Sequence, residues 1–156
     1  MRIKLAIIPL LAIALCLITS CTKQQNEIEV YSFSGENDII TINNSLIIVT
    51  DGLEKFIGGD LTFKGEELLD VKYYVTKFFF YKDGIETTIL NNSQSIEGTT
   101  KGTHISPDMG SISSEDLFYG NDLELIKKSL NFSLSGIFMN GENFEYNVVL
   151  NVKKVY

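Results

Sequence analysis

Of the 156 residues none is tryptophan, one is histidine and two are cysteine. Both cysteines, Cys16 and Cys21, fall at the N-terminal end. From residue 22 onward a disulfide, a thiol nucleophile and a thiolate metal site are therefore excluded. One histidine and no downstream thiol argue against zinc. The missing tryptophan is unfavourable to a carbohydrate site, which commonly stacks sugar on that ring. Positive charge is scarce as well. With 13 Lys and Arg against 20 Asp and Glu, the net charge of −7 opposes nucleic acid and anionic lipid headgroups.

The N-terminus is the most legible segment. Arg2 and Lys4 precede an apolar run from Leu5 to Ile18 that only Pro9 interrupts. That run has signal-peptide length and falls short of the roughly 20 residues that span a bilayer as a helix. Thr19 and Ser20 then fit a cleavage site. The order Ile18-Thr19-Ser20-Cys21 resembles the lipobox of bacterial lipoprotein precursors. The resemblance implies cleavage before Cys21, a diacylglycerol on its sulfur and acylation of the new amino group, commonly with palmitate. Cys16 does not qualify, because Leu15 precedes it where a small residue is wanted.

The expected division is a signal peptide over 1–20, lipidated Cys21 with a polar tether over 21–26, and one domain over 27–156. Losing Arg2 and Lys4 leaves 11 basic against 20 acidic residues, a net charge of −9. Each buried acyl methylene contributes about 0.8 kcal/mol, so two or three chains anchor stably where one is marginal. Thr22 to Asn26 reach at most about 18 Å, which keeps the domain near the extracytoplasmic face of the cell membrane.

Most of the remaining chain alternates in period two. Leu130, Phe132, Leu134 and Phe138 share one face, opposite Asn131, Ser133 and Ser135. After Met139-Asn140-Gly141, Phe144, Tyr146, Val148, Leu150 and Val152 continue that pattern. A three-residue loop with Gly141 in the left-handed conformation pairs Phe138 with Glu142, Leu134 with Tyr146 and Phe132 with Val148, keeping the apolar residues together. Asp38–Ile42 and Leu46–Thr50 read as a second hairpin around Asn43-Asn44-Ser45. Val71–Tyr81 and Ile85–Leu90 read as a third around Lys82-Asp83-Gly84, with a phase change that predicts a bulge near Thr76 or burial on both faces. Ile28–Phe33 and Asp60–Lys64 are weaker strands, and Asn121–Lys128 suits a helix of two turns at most. Residues 91–114 read as a long loop.

The pattern predicts an all-β antiparallel sandwich, immunoglobulin-like, with a small closed barrel as the alternative. The layout is similar to that of small uncharacterised Ig-like β-sandwich lipoproteins of bacteria.

No chemistry-bearing constellation emerges. His104 has Ser106 and Asp108 nearby, but no nucleophile elbow accompanies them. Asp51, Glu54 and Asp60 lack calcium-loop spacing. Gly98 to Thr103 departs from the phosphate-loop pattern. Paired carboxylates across a sandwich leave no signature in sequence.

No catalytic residue, metal or cofactor is therefore expected. The unusual cluster is Tyr73, Tyr74, Phe78, Phe79, Phe80 and Tyr81, in which Tyr74, Phe78 and Phe80 are candidate partner-binding residues if exposed, and core residues if covered. The expected function is a membrane-anchored, non-catalytic binding or accessory module of the cell envelope, contacting the membrane through Cys21 and a protein partner, and not nucleic acid. A structural lipoprotein without ligand and a carboxylate-dependent hydrolase are the alternatives.

Overall fold

Alternating apolar residues resolve into two antiparallel sheets in the computed structural model, which describes residues 28–64, 70–95 and 105–156. The elements in chain order are β1 (Glu29–Glu36), β2 (Ile40–Thr50), β3 (Leu53–Ile57), β4 (Asp60–Phe63), β5 (Val71–Lys82), β6 (Ile85–Ser95), β7 (Ser111–Ser114), α1 (Asp122–Ser129), β8 (Asn131–Phe138), β9 (Asn143–Val149) and β10 (Asn151–Lys154). One sheet has the order β10-β1-β2-β3-β7, with β4 also paired to β2; the other has the order β6-β5-β8-β9. This is the expected all-β sandwich, with two separate sheets in place of a closed barrel. The strand order is not that of an immunoglobulin domain, where the first sheet reads ABED. Here β1, β2 and β3 are successive neighbours in one sheet.

The two sheets meet through phenylalanine. Phe33 of β1 stacks on Phe56 of β3 at 4.9 Å between ring centroids. Phe78 of β5 stands edge-on to both, at 5.9 and 5.2 Å, and contacts Phe132 of β8 at 4.9 Å. All four rings are fully buried. Ile40, Ile42, Ile47, Leu134 and Val148 extend the same core.

The last hairpin forms in the expected register, with Phe132 opposite Val148 and Leu134 opposite Tyr146. Phe138 N–H donates to Glu142 O at 2.9 Å around Gly141, whose φ of 89° the loop requires.

The predicted hairpin at Asn43-Asn44-Ser45 is absent: β2 runs straight through it. Asn44 has a φ of 54°, and between Phe33/Ser45 and Gly35/Ile42 the strand carries one extra residue against β1. One extra residue shifts side-chain phase by one, so Ile40 and Ile42 before the bulge and Ile47 after it all reach the core. Asn44 Nδ2 donates to Asp60 Oδ2 at 2.7 Å, and Ser45 Oγ to Gly58 O at 2.8 Å, which fixes the bulge against the β3–β4 connection.

In β5 the phase change lies elsewhere than Thr76. β5 changes phase between Val71 and Tyr73, where it carries one extra residue against β8, whereas between Phe78 and Phe79 the extra residue, Ile89, belongs to β6. The β5–β6 turn has two residues, Asp83 and Gly84, since Lys82 pairs directly with Ile85. The predicted long loop is shorter than expected, because β6 continues to Ser95 and β7 covers Ser111–Ser114. The predicted single strand from Phe144 to Val152 changes sheet at Leu150, whose N–H donates to Leu130 O at 2.9 Å. Beyond it, β10 pairs with β1. Helix α1 has acidic residues in its first turn and lysines in its last. Asn121 makes no side-chain cap; Asp122 Oδ2 accepts from Tyr119 N–H at 3.2 Å instead.

Phe78 touches both sheets' rings, so Phe78→Ala is expected to cost about 3–5 kcal/mol in urea unfolding. Val149→Ala, on an exposed side chain, should stay within about 0.5 kcal/mol. Equal costs at the two positions would remove the phenylalanine cluster from its central place in the fold.

Candidate functional site

Cys21, the tether, His104 and the Gly98–Thr103 stretch lie outside the described residues. Ser106 and Asp108 serve loop structure: Ser106 N–H donates to Tyr74 Oη at 3.1 Å, and Asp108 Oδ1 accepts from Gly110 N–H at 2.8 Å. Glu54 Oε2 accepts the N–H groups of Leu117 and Phe118, both at 2.7 Å, while Asp60 holds Asn44. Among the described residues no three His, Cys, Asp or Glu side chains are grouped to hold a metal, and no helix is long and apolar enough to cross a membrane.

The candidate partner-binding residues Tyr74, Phe78 and Phe80 do not form a surface. They are 4%, 1% and 2% exposed. Even-numbered positions of β5 from Tyr74 to Phe80 point between the sheets, where the sandwich needs bulk, so the exposed-strip expectation is corrected to core. Tyr74 satisfies its hydroxyl by donating to Gln94 Oε1 at 2.9 Å.

The odd-numbered positions of β5 make the other face. Tyr73, Val75, Lys77, Phe79 and Tyr81 line the outside of the four-stranded sheet. Cross-strand pairing sets Lys77 beside Asn91 and Ser133, Phe79 beside Thr88 and Asn131, and Tyr81 beside Glu86. From β9, Glu145 opposes Ser135, Asn147 opposes Ser133 and Val149 opposes Asn131.

A groove of about 310 Å³ runs over Lys77, Phe79, Tyr81, Glu86, Asn131, Ser133, Glu145 and Asn147. A second of about 410 Å³ continues along the same face over Tyr73, Ser135, Ile137, Asn143 and Glu145.

Within the first groove Lys77 Nζ sits 4.8 Å from the Phe79 ring centroid and 2.6 Å from Glu86 Oε1. Tyr81 meets Phe79 edge-on at 5.7 Å. Asn147 Nδ2 donates to Glu145 Oε1 at 2.9 Å. Amides, hydroxyls and an ion pair beside flat rings can grip a polar ligand with apolar faces. The pattern held the signal: Asn131, Ser133 and Ser135 read as outward in the sequence, and the strand facing them had to share that face.

The perturbed titrations cluster away from these grooves, where β1, β10 and α1 meet. Tyr31 Oη donates to Glu29 Oε2 at 2.7 Å, and Lys154 Nζ lies 2.5 Å from Glu29 Oε1. The hydrogen bonds from Lys154 and then Tyr31 hold the Glu29 carboxyl below its ordinary value. Burial first, then the bond to Glu29, raises the Tyr31 phenol. Lys127, paired with Glu124, is raised and lies over the Tyr31 ring at 5.1 Å.

Comparison with protein-family models, with curated proteins and with solved structures found no match.

A carboxyl with a lowered folded pKa contributes stability above its unfolded value, near 4.5, and loses it as pH falls through the folded value. Glu29→Gln should therefore lower stability at neutral pH and flatten the loss on acidification below about pH 4.5. Parallel stability–pH curves for the two proteins, followed by urea unfolding at each pH, would contradict the assignment.

Proposed function

We propose that the protein is a lipid-anchored, extracytoplasmic module of the cell envelope that binds rather than catalyses, with the outer face of its four-stranded sheet as the contact surface. The observation that carries the binding part is the pair of grooves lined by rings, amides and the Lys77–Glu86 pair, on a face where Tyr81, Glu86, Glu145 and Asn147 are exposed. Lys77 engages one oxygen of Glu86 and Asn147 one oxygen of Glu145, and the remaining lone pairs of each carboxylate can accept hydrogen bonds from a ligand. The lipobox-like Ile18-Thr19-Ser20-Cys21 supports the anchoring part.

Wild-type protein in its own cells should incorporate labelled palmitate and fractionate with membranes, and Cys21→Ser should do neither. Label in both proteins, or in none, overturns the anchor.

For the contact face, crosslinking of the anchored protein is compared with a Tyr81→Ser, Asn147→Ala double variant whose circular dichroism matches wild type. An adduct lost from the variant supports the outer face. An adduct retained at full yield places the contact elsewhere, and no adduct in either favours a structural lipoprotein.

A further inference from the structure

Among the described residues, exposed apolar side chains are unevenly distributed between the two ends of the sandwich. At the end where β1 begins stand Ile28 (47% exposed), Leu53 (47%), Ile85 (70%), Tyr119 (65%), Val155 (58%) and Tyr156 (73%). Among the described residues the opposite end offers Ile39, Tyr73 and Ile137, none more than 40% exposed.

These six residues share one end by construction. Glu29 pairs with Val49, which brings the β2–β3 turn and Leu53 beside Ile28. Val30 exchanges backbone hydrogen bonds with Val155 and Tyr156. Helix α1 lies across the same end: Asp122 holds Lys82 at 2.6 Å, next to the β5–β6 turn and Ile85, while Lys127 covers Tyr31. Tyr119 joins through its N–H to Asp122.

We infer that this end rests on a lipid surface, with the apolar rim and its tyrosines at headgroup level. The inference rests on the anchor reading above and adds an orientation to it. The length of the tether supplies the argument. Cys21 is seven residues from Ile28, a reach of roughly 25 Å at full extension. The twelve-residue β5 alone spans about 40 Å. An anchor on Cys21 therefore holds the Ile28 end near the bilayer and leaves the Ile39 end beyond the tether's reach when the sandwich stands upright.

Tyrosine suits that depth, having an apolar ring and a polar tip. Exposed Asp51, Asp83 and Asp116 rim the same end together with Lys128, Lys153 and Lys154, and charge of both signs fits a zwitterionic surface. In this orientation the outer face of the four-stranded sheet stands perpendicular to the membrane, open to ligands from the side.

The test uses the full lipidated protein in phosphatidylcholine vesicles, with single nitroxide labels on Ile85→Cys, Leu53→Cys and Ile39→Cys; the acylated Cys21 does not react. Labels at 85 and 53 should lose accessibility to a water-soluble relaxation agent several-fold and gain accessibility to oxygen, while the label at 39 stays aqueous. If the protein floats with the vesicles and all three labels remain aqueous, the orientation is wrong and the anchor stands. If it does not float, the anchor reading fails and the orientation with it. Burial of the label at 39 in place of 85 and 53 would invert the domain and overturn the inference directly.

Discussion

The contact between Phe78 and the rings of Phe33 and Phe56 holds the molecule's two layers in one body. With no cysteine downstream of Cys21, no disulfide ties the sheets, so their packing depends on apolar burial and ring geometry. Edge-to-face packing at centroid distances of 5–6 Å also sets the sheets' relative position, because the rings interdigitate only in one arrangement. The other conspicuous features follow from delivering those rings inward. The β2 bulge at Asn44 exists because Ile42 and Ile47 must both face Phe56's layer. The extra residue of β5 between Val71 and Tyr73 brings Val71 and then Tyr74, Phe78 and Phe80 to the same interior.

The layers are also joined along one side by the chain itself. At Leu150 the strand leaves β8's edge and continues as β10 beside β1, so a single extended segment belongs to both sheets. Helix α1 closes the adjacent end. Its Ile126 is fully buried, and its lysine and aspartate reach Tyr31 and Lys82 on either layer. Hydrogen bonds among Glu29, Tyr31 and Lys154 then tie the start of β1 to the last strand.

What the sequence made legible was whatever period two alone decides. The β8–β9 hairpin was readable down to its pairs because Leu134, Phe132, Tyr146 and Val148 admit only one register with all four inward. The Asn43-Asn44-Ser45 stretch misled because Asn with a left-handed φ serves a bulge as well as a turn, and the difference lies in whether β1 spans both halves. That is a long-range fact, as is the departure from immunoglobulin strand order. β3 escaped notice since Leu53-Glu54-Lys55-Phe56-Ile57 has too few alternations to declare a face. The aromatic cluster showed its composition and hid its parity. Tyr74, Phe78 and Phe80 proved to be core, while Lys77, Phe79 and Tyr81, one step out of phase, carry the outer groove.

That parity has a functional corollary. A strand with aromatics on both faces places two demands on adjacent residues, and β5 meets them by giving one set to cohesion and the other to the surface. Phe79 is only 7% exposed although it faces outward, because Tyr81 and Lys77 cover it. A covered ring on an outer face is stabilised by its neighbours and still available to a ligand that displaces them, in particular the lysine, whose partner Glu86 sits on the edge strand. Displacing those two side chains would widen the groove with no change in the backbone of the four-stranded sheet, which sets this surface apart from the phenylalanine core directly beneath it.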